Sequence, residues 1–171
     1  IKLPEGKKNM LEARLQKRLR ALGLSNYEEY YKFLFSTNGL QSELTHLIDV
    51  VTTNTTDFFR EPKHFDYLTR YVLPQWVKRR RNTPLTLWSA GCSTGMEPYT
   101  LAMVFADFAE KIPEFQYSIL ATDISIQALK TAAKGVYPKD RVQPVPAHIK
   151  TKYLMRSKDK KKELVRVVPE L

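Results

Sequence analysis

Residues 85–103, LTLWSAGCSTGMEPYTLAM, constrain this chain more than any other stretch. Leu85, Leu87 and Trp88 form a short apolar run that predicts a buried strand. Ala90, Gly91, Cys92, Ser93, Thr94 and Gly95 follow. Such small residues let a backbone turn sharply and a ligand come close. Pro98 sits where the first turn of a helix tolerates a missing N–H. Tyr99, Leu101, Ala102, Val104, Phe105 and Phe108 then recur at helical spacing. Strand, glycine turn and helix, in that order, hold a nucleotide-type ligand in an open α/β sheet. The glycines alone also fit a tight turn with no ligand.

Such a site needs an acidic residue at the end of the next strand, to hold ribose hydroxyls. Residues 117–121 read as that strand, and Asp123 closes it ahead of a helix over 125–133. The step from Gly95 to Asp123 is longer than the roughly 20 residues usual for dinucleotide binders. Glu97, not a basic residue, stands at the start of the first helix. An anion there opposes a pyrophosphate. It suits a ligand with hydroxyls and a positive charge, as in S-adenosylmethionine, and so favours a methyl donor over NAD or ATP.

The chain has 171 residues, enough for one domain and a small second one. Its single cysteine, Cys92, leaves no intrachain disulfide and fits a reducing compartment. No run reaches the roughly 20 apolar residues of a membrane span. A net charge of +10 predicts an acidic partner: nucleic acid, a membrane surface or an acidic protein. The chain opens at Ile1 without methionine, which predicts a trimmed start.

After a frayed lead-in over 1–6, residues 7–22 predict an amphipathic helix with Leu11, Leu15, Leu19 and Leu22 in one stripe. Lys7, Lys8, Arg14, Lys17, Arg18 and Arg20 cover much of the rest, and Gly23 ends it. That basic face reads either as solvated or as a docking surface; with only Glu12 interrupting it, docking is favoured. Ser25 and Glu28 predict a capping box for the next helix. Tyr27, Tyr30, Tyr31, Leu34 and Phe35 are expected in the core. Leu40, Leu44, Leu47, Ile48 and Val51 make a third apolar stripe, and His46 is expected at the surface or in a cap. The first fifty residues therefore read as a helical domain.

Residues 52–62, TTNTTDFFREP, are polar yet carry adjacent phenylalanines. Phe58 and Phe59 are expected in the core, and Arg60 offers a planar cation suited to a carboxylate. A helix follows over 63–81, with Phe65, Leu68, Val72 and Trp76 inward and Pro74 kinking or restarting it. Its basic end, Lys78, Arg79, Arg80 and Arg81, fits a solvated helix terminus. Residues 142–148 read as loop. Tyr153 to Arg156 and Leu164 to Val168 read as two short strands joined by a lysine-rich tip over 157–163.

Residues 52–61 (TTNTTDFFRE), 88–99 (WSAGCSTGMEPY), 121–124 (ATDI) and 135–137 (GVY) closely resemble the CheR-type chemotaxis receptor methyltransferases in sequence, order and spacing. Residues 14–24 (RLQKRLRALGL) are similar to the basic second helix of that family. The resemblance covers nearly the whole chain. Met96 departs from it, standing where the family commonly has the first Glu of a Glu-Glu-Pro run. Glu97 keeps the acid next to the proline, so the departure does not read as inactivating.

The resemblance implies an α/β fold. A helical receptor-docking domain over 1–51 and a linker segment with its helix over 52–82 precede the first part of a Rossmann-like methyltransferase sheet. A partial antiparallel β-subdomain completes the 83–171 domain. It implies S-adenosylmethionine as methyl donor, S-adenosylhomocysteine as product, and methylation of glutamate side chains on cytoplasmic helices of chemoreceptors. Asn54, Thr56, Arg60, Gly91, Glu97 and Asp123 are the implied cofactor residues. Arg60 is also the candidate catalytic residue, holding the acceptor carboxylate. Arg14, Lys17, Arg18 and Arg20 are the implied receptor-docking residues. No metal, nucleic acid or membrane insertion is expected, and the location is cytoplasmic.

A full methyltransferase sheet needs more strands than residues 85–171 can supply, which predicts a truncated fragment, weak or inactive alone and open to pairing with another copy. Two alternatives stand beside this reading. One is a nucleic-acid methyltransferase, favoured by the basic balance. The other is a non-catalytic receptor-binding module with a vestigial cofactor half.

Overall fold

The structure is a computed structural model that describes residues 5–80, 83–159 and 161–171. Residues 1–4 of the lead-in, Arg81 of the basic helix end and Lys160 of the hairpin tip lie outside the described residues. The chain divides into two compact units: Ile1–Thr53 with Ile124–Ile126, and Asn54–Asp123 with Gln127–Leu171. No described helix is long and apolar enough to cross a membrane.

In the first unit a short 3-10 turn leads into α1 (Lys8–Leu22), followed by α2 (Tyr27–Leu34) and α3 (Gly39–Val51). The leucine stripe of α1 closes on buried Leu19, and Gly23 ends the helix in the left-handed conformation, at φ 72°. The capping box of α2 sits one residue beyond Ser25 and Glu28. Asn26 Oδ1 accepts the Glu29 amide at 2.9 Å, and Glu29 Oε2 takes the Ser25 N–H at 2.8 Å. Asn caps as well as Ser, and an acid lies three residues after each, so both registers were open locally.

Of the five expected core residues of α2, only Tyr30 and Leu34 are buried; Tyr27, Tyr31 and Phe35 are exposed. Leu40 and Leu44 are exposed too, while Glu43 is 1% exposed. The cause is a polar lock among the three helices. Arg18 grips Glu43 through two nitrogens at 2.8 and 2.6 Å, and the Tyr30 hydroxyl donates to the same carboxylate at 2.9 Å. Burial works against the Glu43 charge. Hydrogen bonds from Arg18 and Tyr30, with the Arg18 charge, outweigh it and hold the carboxyl below its usual range.

In the second unit the helix expected over 63–81 is α4 (Pro62–Tyr67), a π-helical turn over Leu68–Val72, and α5 (Leu73–Arg79). Pro74 has no N–H to give the Arg70 carbonyl. The chain instead closes a wider turn, with the Leu73 N–H on the Leu68 carbonyl. That extra residue puts Leu73 in the core and leaves Val72, expected inward, exposed.

β1 (Leu85–Ala90) and β2 (Tyr117–Thr122) pair in parallel, from Leu85 with Tyr117 to Ala90 with Thr122. α6 (Met96–Ala109) connects them, as the strand–turn–helix pattern requires. Leu101, Val104, Phe105 and Phe108 of α6 join Leu73 and Phe115 in one core, with Leu85, Leu87 and Ile119 packed on it. Trp88 is not buried. Strand alternation turns it to the other face, where it is 65% exposed and its Nε1 donates to Thr122 Oγ1 at 2.9 Å.

Beyond α7 (Ile126–Lys134), residues 136–156 hold more structure than expected. β3 (Val136–Pro138), a 3-10 turn over Lys139–Val142 and α8 (Ala147–Tyr153) lead into β4 (Leu154–Arg156), and β5 is Leu164–Val167. The three strands form an antiparallel sheet in the order β3-β5-β4. Pro146 precedes α8, outside the interior where a proline would break it. A second core gathers Phe58, Met96, Met103, Tyr137, Ile149 and Val165 among others, with Phe59 packed against it.

Candidate functional site

The site forms where β1 ends. Gly91, at φ 84°, and Cys92 both give their N–H groups to the Thr122 carbonyl, at 2.8 and 2.9 Å, so the glycine turn is tied to the end of β2. A Cβ on Gly91 would meet nothing within 4 Å, so this residue borders open space. Gly95 does the opposite work. At φ 89° it caps α6, and a Cβ there would lie 2.7 Å from the Ala132 Cβ and 3.0 Å from the Tyr137 hydroxyl. That hydroxyl donates to the Thr94 carbonyl at 2.7 Å, and burial pushes its pKa well up.

The two acids flank this turn. Asp123 follows the last residue of β2, and its Oδ2 accepts the Ser93 amide at 2.7 Å. Glu97 lies in the first turn of α6, where its charge meets the positive end of the helix, and its Oε1 accepts the Ser89 hydroxyl at 2.7 Å. Burial, then the negative charges of Asp123 and of Glu97, push the Cys92 thiol up against a weaker backbone hydrogen bond. Both carboxylates are thus felt at one loop, and the thiol is held away from the nucleophilic thiolate form.

Residues 54–60 join the same place. Ser93, at φ 51°, donates its hydroxyl to the Asn54 carbonyl at 2.8 Å while its amide holds Asp123. One strained residue therefore links the segment to Asp123. At the other end the Phe59 N–H donates to Thr100 Oγ1 at 3.2 Å, and Phe58 is fully buried. Thr56 is buried. Arg60 is exposed; its guanidinium reaches the Thr55 carbonyl over a long 3.5 Å, and it makes no ion pair among the described residues. Asn54, Glu97 and Asp123 are thus linked through the strands and turn that Ser89 and Ser93 belong to, with Thr56 and Arg60 in the segment that Asn54 opens. Ser93 was not among the expected site residues, although its place between two glycines marked it.

The donor set fits a cationic ligand with hydroxyls. Two carboxylates flank the turn whose Gly91 borders open space, and the start of α6 carries an acid where a phosphate would need a cation. Among the described residues no cluster of three or more His, Cys, Asp or Glu could hold a metal ion.

The basic residues of α1 divide in two. Arg14 donates to the carbonyls of Val50 and Thr52, at 3.2 and 2.7 Å, capping the end of α3, and Arg18 is engaged by Glu43. Lys17 and Arg20 are exposed.

Comparison with known proteins agrees with this fold. Residues 1–52 match the family described as CheR methyltransferase, all-alpha domain, and residues 54–171 match the CheR methyltransferase, SAM binding domain. A chemotaxis protein methyltransferase of Borreliella burgdorferi is 41% identical, the match covering 100% of this chain and 62% of that protein. Chemotaxis protein methyltransferase 2 of Pseudomonas aeruginosa is 36% identical, with 100% and 59% covered. The chemotaxis protein methyltransferase of Escherichia coli is also 36% identical, with 100% and 57% covered. The chain thus spans about 60% of the length of the curated relatives it matches. With its helical unit, its parallel β–α–β crossover and its paired acids, the chain belongs to the CheR methyltransferase family.

Proposed function

We propose that this chain carries the helical domain and the cofactor half of a methyltransferase that esterifies glutamate side chains of chemotaxis receptors. The single observation behind this reading is the linked set at the end of the parallel strands, in which Ser93 joins Asp123 to Asn54 beside Glu97 and the open Gly91. Held there by these residues, S-adenosylmethionine would supply a sulfonium methyl group to a glutamate carboxylate oxygen, the O–C bond forming in line as the C–S bond breaks and S-adenosylhomocysteine leaving with the bonding pair. Asp123 holds ribose hydroxyls and Glu97 faces the positive part of the ligand. Arg60, exposed and without an ion pair among the described residues, orients a carboxylate.

A glutamate is already ionised near neutral pH, so these residues need no general base. Their work is alignment and exclusion of water. Lys17 and Arg20 offer the acidic methylation region of a receptor an exposed cationic surface, while Arg14 and Arg18 hold α1 in place. The reaction belongs in the cytoplasm, on the receptors' cytoplasmic helices. The exposed apolar side chains of Trp88 and Leu120, on one sheet face, also support self-association.

The test is methyl transfer from labelled S-adenosylmethionine to a receptor cytoplasmic fragment by the protein carrying these residues. Base-labile label on glutamates is expected, and Arg60→Ala should cut the rate by about tenfold or more. Label on nucleic acid and not on receptor would favour the nucleic-acid alternative and sink this reading.

A further inference from the structure

Residues 54–60 belong to no helix or strand, and Phe59 and, just beyond, Glu61 hold positive φ values of 53° and 56°. Side chains other than glycine stay in that region only where their surroundings over-determine them. Ser93 and Thr100 fix the two ends of the segment. Its middle is held by a residue that no motif marked. Arg141 comes from the 3-10 turn that follows β3. One of its terminal nitrogens, Nη2, donates to the Thr56 carbonyl at 2.6 Å and stands 2.9 Å from Asp57 Oδ1 and 3.7 Å from Met96 Sδ.

We propose that Arg141 is a positioning residue for the cofactor segment, fixing Thr56 and Asp57 so that Asn54, Thr56 and Arg60 face the site in one arrangement. The proposal rests on the cofactor reading above. The Arg141 and Asp57 side chains are 42% and 49% exposed, so their charge attraction alone is weak. The charged hydrogen bond to the carbonyl of buried Thr56 is the stronger part. Met96 matters here as well. It is buried against Arg141 and brings no charge, so Asp57 is the acid that keeps the guanidinium turned onto the segment. The three-stranded sheet, through the turn after β3, thereby sets the conformation of a segment distant in sequence.

The test combines hydrogen exchange and titration with S-adenosylhomocysteine on the chain and its Arg141→Ala and Asp57→Asn variants. Arg141→Ala should speed amide exchange over residues 57–61 by about tenfold, with β3, β5 and α6 unchanged. Asp57→Asn, which keeps the carbonyl contact, should speed it less. S-adenosylhomocysteine should bind Arg141→Ala about tenfold more weakly at an unchanged melting temperature. Unchanged exchange over 57–61 overturns the proposal, as does faster exchange throughout the second unit, which would make Arg141 merely structural. If the unaltered chain fails to bind S-adenosylhomocysteine, the cofactor reading falls, and the exchange result still decides whether Arg141 positions the segment.

Discussion

Replacing Glu43 by Gln removes one charge and almost no volume, yet should loosen the whole helical unit. The Glu43 side chain is 2% exposed and its partner on Arg18 is 21% exposed. Removing one member of a buried ion pair costs about 3–5 kcal/mol, because the other charge is left without compensation. Arg18 keeps some access to water, so about 2–3 kcal/mol is the better figure. Hydrogen exchange at α1 to α3 amides should then quicken about 30- to 150-fold, at one decade per 1.36 kcal/mol. Amides of α6 serve as the control and should not change.

The effect also has a pH signature. The folded Glu43 carboxyl is held below its unfolded value of about 4.3, so its contribution is complete above that pH. It drains away as pH falls through the folded value. The advantage of the unaltered chain over Glu43→Gln should therefore be constant near neutrality and vanish in acid. A change at the α1 to α3 amides below about threefold, or an advantage that persists in acid, would refute the reasoning. The same lock warns that a receptor-binding defect of Arg18→Ala would come from a damaged helical unit.

Two further predictions concern the second unit, where both tryptophans, Trp76 and Trp88, report unfolding by fluorescence. Gly95→Ala adds left-handed strain and a clash with Ala132, costing about 2–4 kcal/mol, whereas Gly91→Ala adds strain alone, about 1–2 kcal/mol. Equal urea midpoints for the two variants would contradict this. Tyr137→Phe removes the buried hydrogen bond to the Thr94 carbonyl and should cost about 1–2 kcal/mol in urea unfolding. Because the Tyr137 pKa is raised, its share of stability is complete below about pH 10 and lost above it, so Tyr137→Phe should weaken less in alkali.

Local pattern was enough for the elements that build the site. The apolar period of α6, the glycine turn between β1 and α6, and the acid after β2 are all adjacent-residue signals. Failures came where distant residues decide. Glu43 carries no local mark of burial; Arg18 and Tyr30, distant in sequence, hold it inside. Trp88 reads as core because its apolar neighbours hide the strand alternation. Leu73 displaces Val72 because Pro74 forces a π turn. Residues 142–148 read as loop, and the start of α8 falls within them because Pro146 stands at the helix edge, where a proline is tolerated. Ser93 and Arg141 matter through partners 39 and 85 residues away, which no local motif encodes.

Calorimetric titration of this chain with S-adenosylhomocysteine tests the central claim most directly. The account predicts saturable one-site binding, weakened at least about tenfold by Asp123→Ala and by Arg60→Ala, each in a protein that melts as before. Binding indifferent to both substitutions, or no binding by a folded sample, would contradict a cofactor site built on these residues.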